Sequence, residues 1–229
     1  MLRTPITLTA AALAAALALS ACGTVRLGAA AVTNSSRIPT ATLTAEVSNL
    51  DTAYKADKAK VQLQFSASQM PQTVLSWLLR FQVRQQMAER NHLTITRADV
   101  QQALASAAAQ AKQSGVTLTD LAVANGVPPD QLTELGRYVA IQNQLLNRID
   151  GGKLPTASAA LQTLGTRFNT YQCRAAKSMG IQVNPQFGQL DYSQVSVVPA
   201  PNKLAAAPGT ASPSPSASAT ASPQLTPAC

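Results

Sequence analysis

The stretch from Val74 to Val83 constrains the architecture more than any other part of the chain. Seven of its ten residues are apolar: Val74, Leu75, Trp77, Leu78, Leu79, Phe81 and Val83. A helix on a protein surface needs about three to four apolar residues per two turns. A helix this rich must meet neighbours on more than one side, which puts it at the centre of a bundle. Pro71 suits its first turn, and Met87 prolongs the stripe. Asn91, which tolerates the left-handed conformation, is expected to end it.

Helical periodicity continues on both sides. Leu43, Val47, Leu50 and Tyr54 recur at spacings of four, three and four, with Thr40 as a candidate N-cap. Thr96-Arg97-Ala98-Asp99 is close to a capping box with Asp in place of Glu. It opens a third helix through Val100, Leu104 and Ala111 that Gly115 stops. Leu118-Thr119-Asp120-Leu121 starts a short fourth helix ending near Gly126. Pro128-Pro129-Asp130 begins a fifth, with a face of Leu132, Leu135, Val139, Gln142, Leu146 and Ile149, and Gly151-Gly152 terminates it. Thr156 caps a sixth, with Leu161, Leu164, Phe168, Tyr171, Ala175 and Met179 inward and Gly180 at its end. Ile181 and Val183 alternate with polar residues as in a short edge strand, and Pro185 and Gly188 mark a turn. The expected fold is mainly α: a bundle of about six helices over residues 39–192, with short N- and C-terminal strand segments and flexible tails.

The termini have a different character. Arg3 precedes an uncharged run, residues 6–19, dominated by Ala and Leu. That run is shorter than the roughly 20 apolar residues a bilayer span needs and matches a signal-peptide h-region. Leu19-Ser20-Ala21-Cys22 follows and resembles the lipobox of bacterial lipoproteins. The expectation is cleavage before Cys22 and a lipid on its thiol, giving a signal peptide over 1–21 and a lipidated tether with a lead-in strand over 22–38. Two or three acyl chains anchor firmly where one does not. The protein is then extracytoplasmic, held by its N-terminal lipid on the outer face of the cell membrane. Residues 193–229 are read as a tail. Residues 205–228 contain little but Ala, Pro, Ser and Thr and bury too little apolar surface to offset their ordering entropy.

The formal charge is +8, with the cations dispersed, and aromatics make up only 4% of the chain. Base-stacking platforms are therefore lacking and no nucleic-acid partner is expected. The basic surface suits anionic headgroups or wall polymers, and equally well plain solvated helix faces. Of three cysteines, Cys22 is assigned to lipid. Cys173 and Cys229 are candidates for a disulfide in an oxidising compartment.

Catalysis finds little support. His92 is the single histidine; it falls at a helix end with no nucleophile or orienting carboxylate nearby, and reads as structural. The acids are scattered, and Asp99, Asp120 and Asp130 stand at helix starts, where the macrodipole favours them. No metal-ligand spacing and no phosphate-binding loop occurs, so neither metal nor cofactor is expected. Met70, Met87 and Met179 suit either core filling or an adaptable surface. Trp77 either reaches a groove or is buried.

The order of elements is informative. Val74-Leu75-Ser76-Trp77-Leu78-Leu79 leads to Gln86-Met87-Ala88-Glu89-Arg90-Asn91. Leu93-Thr94-Ile95-Thr96-Arg97-Ala98-Asp99-Val100 follows, then Gly115-Val116-Thr117-Leu118-Thr119-Asp120-Leu121 and a helix ending Leu145-Leu146-Asn147-Arg148-Ile149. This series resembles the N-terminal domain of SurA-type extracytoplasmic chaperones, with PrsA-type lipoprotein foldases as relatives. Residues 29–50 resemble the family's lead-in strand and first helix, and residues 181–188 its closing segment. Foldases of this group carry a parvulin-type isomerase between the fifth and sixth helices. Here only Asp150-Gly151-Gly152-Lys153-Leu154-Pro155 stands there, far short of the roughly 50 residues a domain needs. The resemblance thus implies binding of unfolded or partly folded exported polypeptides without isomerase activity, in a non-enzymatic protein. Trp77, Phe81 and Met87 are the candidate contacts. The alternative is a structural adaptor lipoprotein of the cell envelope.

Overall fold

The computed structural model describes residues 28–57, 61–152 and 157–200, together with Cys229. Cys22 and its lipobox, the Thr156 cap and the stretch 205–228 lie outside the described residues. The protein is mainly helical, as the periodicity predicts. Strands β1 (Ala29–Val32) and β2 (Arg37–Pro39) lead into six helices among the described residues. These are α1 (Thr40–Asp57), α2 (Met70–Arg90), α3 (Arg97–Gln113), α4 (Leu118–Ala124), α5 (Leu132–Ile149) and α6 (Ser158–Ser178). Three short strands close the fold: β3 (Gln182–Val183), β4 (Gln189–Asp191) and β5 (Ser196–Val198).

Local chemistry sets the helix boundaries. At the start of α3 the Thr96 amide donates to Asp99 Oδ2 at 2.8 Å and the Asp99 amide donates back to Thr96 Oγ1 at 3.2 Å. Thr117 and Asp120 repeat the exchange at the start of α4, at 3.1 and 3.0 Å. The end of α2 departs from expectation. Asn91 stays at φ −97°, and His92 takes the left-handed turn at φ 51°. The reason is that the Asn91 side chain turns back to donate from Nδ2 to the Met87 carbonyl at 2.6 Å. His92 is exposed there, a turn residue.

Helix α2 lies at the centre. Val74, Leu75, Leu79 and Met87 are fully buried, while Leu78 is half-buried against the same cluster. Helices α1, α5 and α6 pack around it, and so does β5. The last of these corrects the boundary at residue 192, because the fold runs on through Val198. Strands β4 and β5 form an antiparallel hairpin with Val195 and Val197 buried. The Val197 amide donates to Ser76 Oγ at 2.8 Å, and that hydroxyl donates to the Gln72 carbonyl at 2.6 Å. Much of the apolar surplus of α2 is covered by this hairpin. Strands β2, β1 and β3 form an antiparallel sheet in that order, so the lead-in segment is a hairpin rather than one strand. Ala31 opposite Val183 and Val32 opposite Gln182 tie the two ends of the domain together.

Two helix faces also differ from the expected ones. On α5 the stripe from Leu132 to Ile149 is only half-buried, and the most buried positions are Gly136, Ala140, Ile141 and Leu145. Small residues prevail there because α3 comes close: a Cβ at Gly136 would stand 2.6 Å from Leu104 Cγ and 3.0 Å from Val100 Cγ1. On α6, Leu164, Phe168 and Ala175 are buried, as is Met179 just after the helix, but Leu161 is 47% exposed. No helix of the described residues is long and apolar enough to cross a membrane.

Candidate functional site

Two clefts follow one another along α2 and α5, with Tyr138 between them. The first is a cavity of about 190 Å³ beside Trp77. Helix α2 presents the indole; α3, α4 and α5 add Leu104, Leu118, Leu121, Leu135 and Val139. Trp77 Nε1 donates to the Asn125 carbonyl at 2.8 Å, one of the acceptors a helix end leaves open. The ring lies 5.8 Å from Phe81 and 5.7 Å edge-on from Tyr138, and the Arg80 guanidinium sits 5.0 Å above it. Its polar edge is therefore satisfied and the ring is held rigidly.

The three residues named as contacts part company. Trp77 lines the cleft. Phe81 is buried beside it, in a small cluster with Ala122 and Val127. Met87 is 0% exposed in the main core and out of reach of any partner, which corrects its assignment. Ten residues separate Trp77 from Met87, which at 100° per residue leaves Met87 about 80° round the helix axis.

The second cleft is larger, about 400 Å³, and centres on Arg84. This guanidinium is only 1% exposed. Its Nη2 donates to Tyr138 Oη at 2.7 Å and to Gln172 Oε1 at 2.8 Å. It also lies 4.2 Å from the ring centre of Tyr138 and 4.4 Å from that of Phe168, cation–π contacts on two sides. Nε and Nη1 have no acceptor among the described residues. Burial pushes the Arg84 guanidinium below its usual value while Tyr138 pulls the other way, and burial does the same to Arg80. Both remain cations, since arginine holds its proton in proteins. Arg80 Nε donates to the Gln194 carbonyl at 3.3 Å.

In the sequence Arg84 is one of the dispersed cations, and nothing in that pattern singles it out. The signal is nonetheless there: Arg84 follows Phe81 by three residues and precedes Ala88 by four, on a buried face of the helix.

A buried acid lies elsewhere. Glu46 on α1 is 8% exposed; its Oε1 accepts from Gln131 Nε2 at 2.8 Å and its Oε2 has no partner. Burial, and next the Asp130 carboxylate nearby, raise its pKa from 4.5, against the Gln131 hydrogen bond. On α6, Cys173 is joined to Cys229 in a disulfide with the Cα atoms 5.8 Å apart.

No Asp, Glu, His or Cys lines either cleft. Compared with known proteins, the chain matches no family model, no curated protein and no solved structure.

Proposed function

We propose that this protein is a membrane-anchored, extracytoplasmic chaperone-like protein that holds apolar segments of unfolded or partly folded exported polypeptides, without isomerase activity. The observation that carries this reading is the Trp77 cleft. A cavity of about 150 Å³ lined by Leu, Ile and Phe admits benzene. The cleft of about 190 Å³ therefore has room for one large apolar side chain of a client. With its indole N–H already bound to Asn125, Trp77 offers a client only ring surface. A helix-lined groove taking apolar anchors is a recurrent mode of peptide recognition. The lipobox supports the location: a lipid on Cys22 would hold the domain at the membrane surface where exported chains emerge.

Trp77 is the sole tryptophan, so its emission reports on its own site. Titrating the full-length protein with an unfolded, tryptophan-free client shifts or quenches that emission, and Trp77→Ala weakens the binding severalfold. Client binding that leaves both the emission and the Trp77→Ala affinity unchanged would remove the cleft from the mechanism. The anchor is tested separately. Cys22→Ser lacks the nucleophilic sulfur and moves the protein from the detergent phase to the aqueous phase.

A further inference from the structure

We infer that the second cleft is a binding site for a carboxylate carried on an apolar group, with Arg84 as the residue that takes the charge. The inference does not depend on what the Trp77 cleft accepts.

The first argument is charge. Burying a cation without a counter-ion is costly, and buried charges are as a rule paired. Among the described residues, Arg84 donates to Tyr138 and Gln172 and its remaining donors meet no carboxylate. The ion pairs of Lys55 with Asp51 and of Arg137 with Glu134 involve no residue that lines this cleft. No acidic side chain lines the cleft, whereas Arg80 adds a second cation to its wall. Tyr138 and Gln172 occupy Nη2 alone, which leaves the donors on Nε and Nη1 unspent. A planar guanidinium with unspent donors matches a carboxylate in both charge and shape.

The second argument is space. Gly165 lies inside α6, where glycine costs stability relative to alanine. Packing gives no reason for it, since a Cβ there would meet nothing within 4 Å. It lines the same cleft, and its missing side chain keeps the cavity at about 400 Å³. The rest of the α5 and α6 wall specifies the ligand's body. Leu146, Leu164 and the exposed Leu161 call for an apolar group, while Gln142 and Asn169 offer amides to any polar remainder. A bare inorganic anion would leave the leucines without a partner. The chemistry is shared by two sources, the C-terminus of a polypeptide ending in an apolar residue and a free aliphatic acid.

Calorimetric titration of the full-length protein separates them with three probes: N-acetyl-Ala-Leu, its C-terminal amide, and octanoate. The acid dipeptide is expected to bind at least tenfold more tightly than the amide. In Arg84→Met that preference disappears. Gly165→Leu, which places a good helix former in open space, fills the cavity and abolishes binding while the protein stays folded. Octanoate matching the acid dipeptide assigns the source to a free aliphatic acid. Acid dipeptide binding without octanoate assigns it to a chain terminus. No binding of either acid, equal binding of acid and amide, or an acid preference that survives in Arg84→Met or Gly165→Leu overturns the inference.

Discussion

The Trp77 cleft and the Arg84 cleft draw on the same two helices, with Tyr138 packed against both Trp77 and Arg84, yet they are finished differently. At Trp77 every polar group has a partner within the fold: the indole N–H meets Asn125, and the wall around it is Leu, Val and Ala. At Arg84, two ring faces and two acceptors gather round a cation and still leave part of its donor capacity unspent. The apolar richness of α2 is a weaker guide to binding than it first looks, because neighbours absorb most of it. Phe81 goes to Ala122 and Val127, while β5 and Val197 pack along the helix. What the fold does not absorb is one apolar hollow and one charge.

The comparison breaks most completely if α2, the helix behind both clefts, is loosened from the core. Leu79 is fully buried on α2. Leu79→Ala is expected to cost about 2–5 kcal/mol by lost transfer free energy plus the cavity left behind. Denaturant unfolding measures it, and client and carboxylate binding should fall together. Leu78, half-buried on the same helix, costs less on truncation. A larger loss at Leu78 than at Leu79 would mean that α2 is rotated from the orientation described.

Two glycines separate the clefts. Both are helical, for opposite reasons. Gly136 is crowded by Leu104 and Val100, and Gly165 faces open space. Gly136→Val overpacks the contact between α3 and α5, at a cost of about 1–3 kcal/mol. It forces Leu104 into the Trp77 cleft and leaves the Arg84 cleft intact. Gly165→Ala moves the other way, gaining about 1 kcal/mol from helix propensity. Thermal melts give the two signs. If Gly165→Ala destabilises instead, the open wall of the Arg84 cleft is in truth a packed one.

The parts of the fold that follow from neighbours in sequence were legible in advance. Thr96 with Asp99, Thr117 with Asp120, and the glycine stops are local devices, and their elements lie where the residues put them. What depended on which elements meet was not. Ser196–Val198 is only three residues long, set among small and polar neighbours, and is ordered because α2 has a face for it to cover. The buried side of α5 is Gly136, Ala140, Ile141 and Leu145 rather than the stripe from Leu132 to Ile149; at Gly136 the approach of α3 selects a small residue, whereas a periodicity reading rewards large ones. Arg84 was passed over for the same reason: a cation reads as solvated until two aromatic rings from other helices close over it. Of the three named contacts, Trp77 lines a cleft and Met87 lies wholly within the core.

The smallest expected effect contrasts the two buried charged groups. Arg84 cannot discharge within the usable pH range, whereas Glu46 can. Burial and the neighbouring Asp130 hold the folded-state pKa of Glu46 above the 4.5 of the unfolded chain. The neutral acid is therefore the form that the fold prefers. Its contribution is fully present below pH 4.5 and is lost as the pH rises through the raised value, leaving a charge with one unpartnered oxygen at neutrality. Glu46→Gln keeps the shape and the contact to Gln131 but removes the charge. At pH 7 it should raise Tm by roughly 2–4 °C, the shift that about 1 kcal/mol produces in a chain of this size. Below pH 4.5 that advantage should vanish. Arg84→Met, tested across the same range, should show a stability difference that does not change with pH. A Glu46→Gln advantage that persists unchanged into acid would show that the carboxylate is not the source of the strain. In that case the contrast between a charge the fold can neutralise and one that needs a partner from outside would have to be given up.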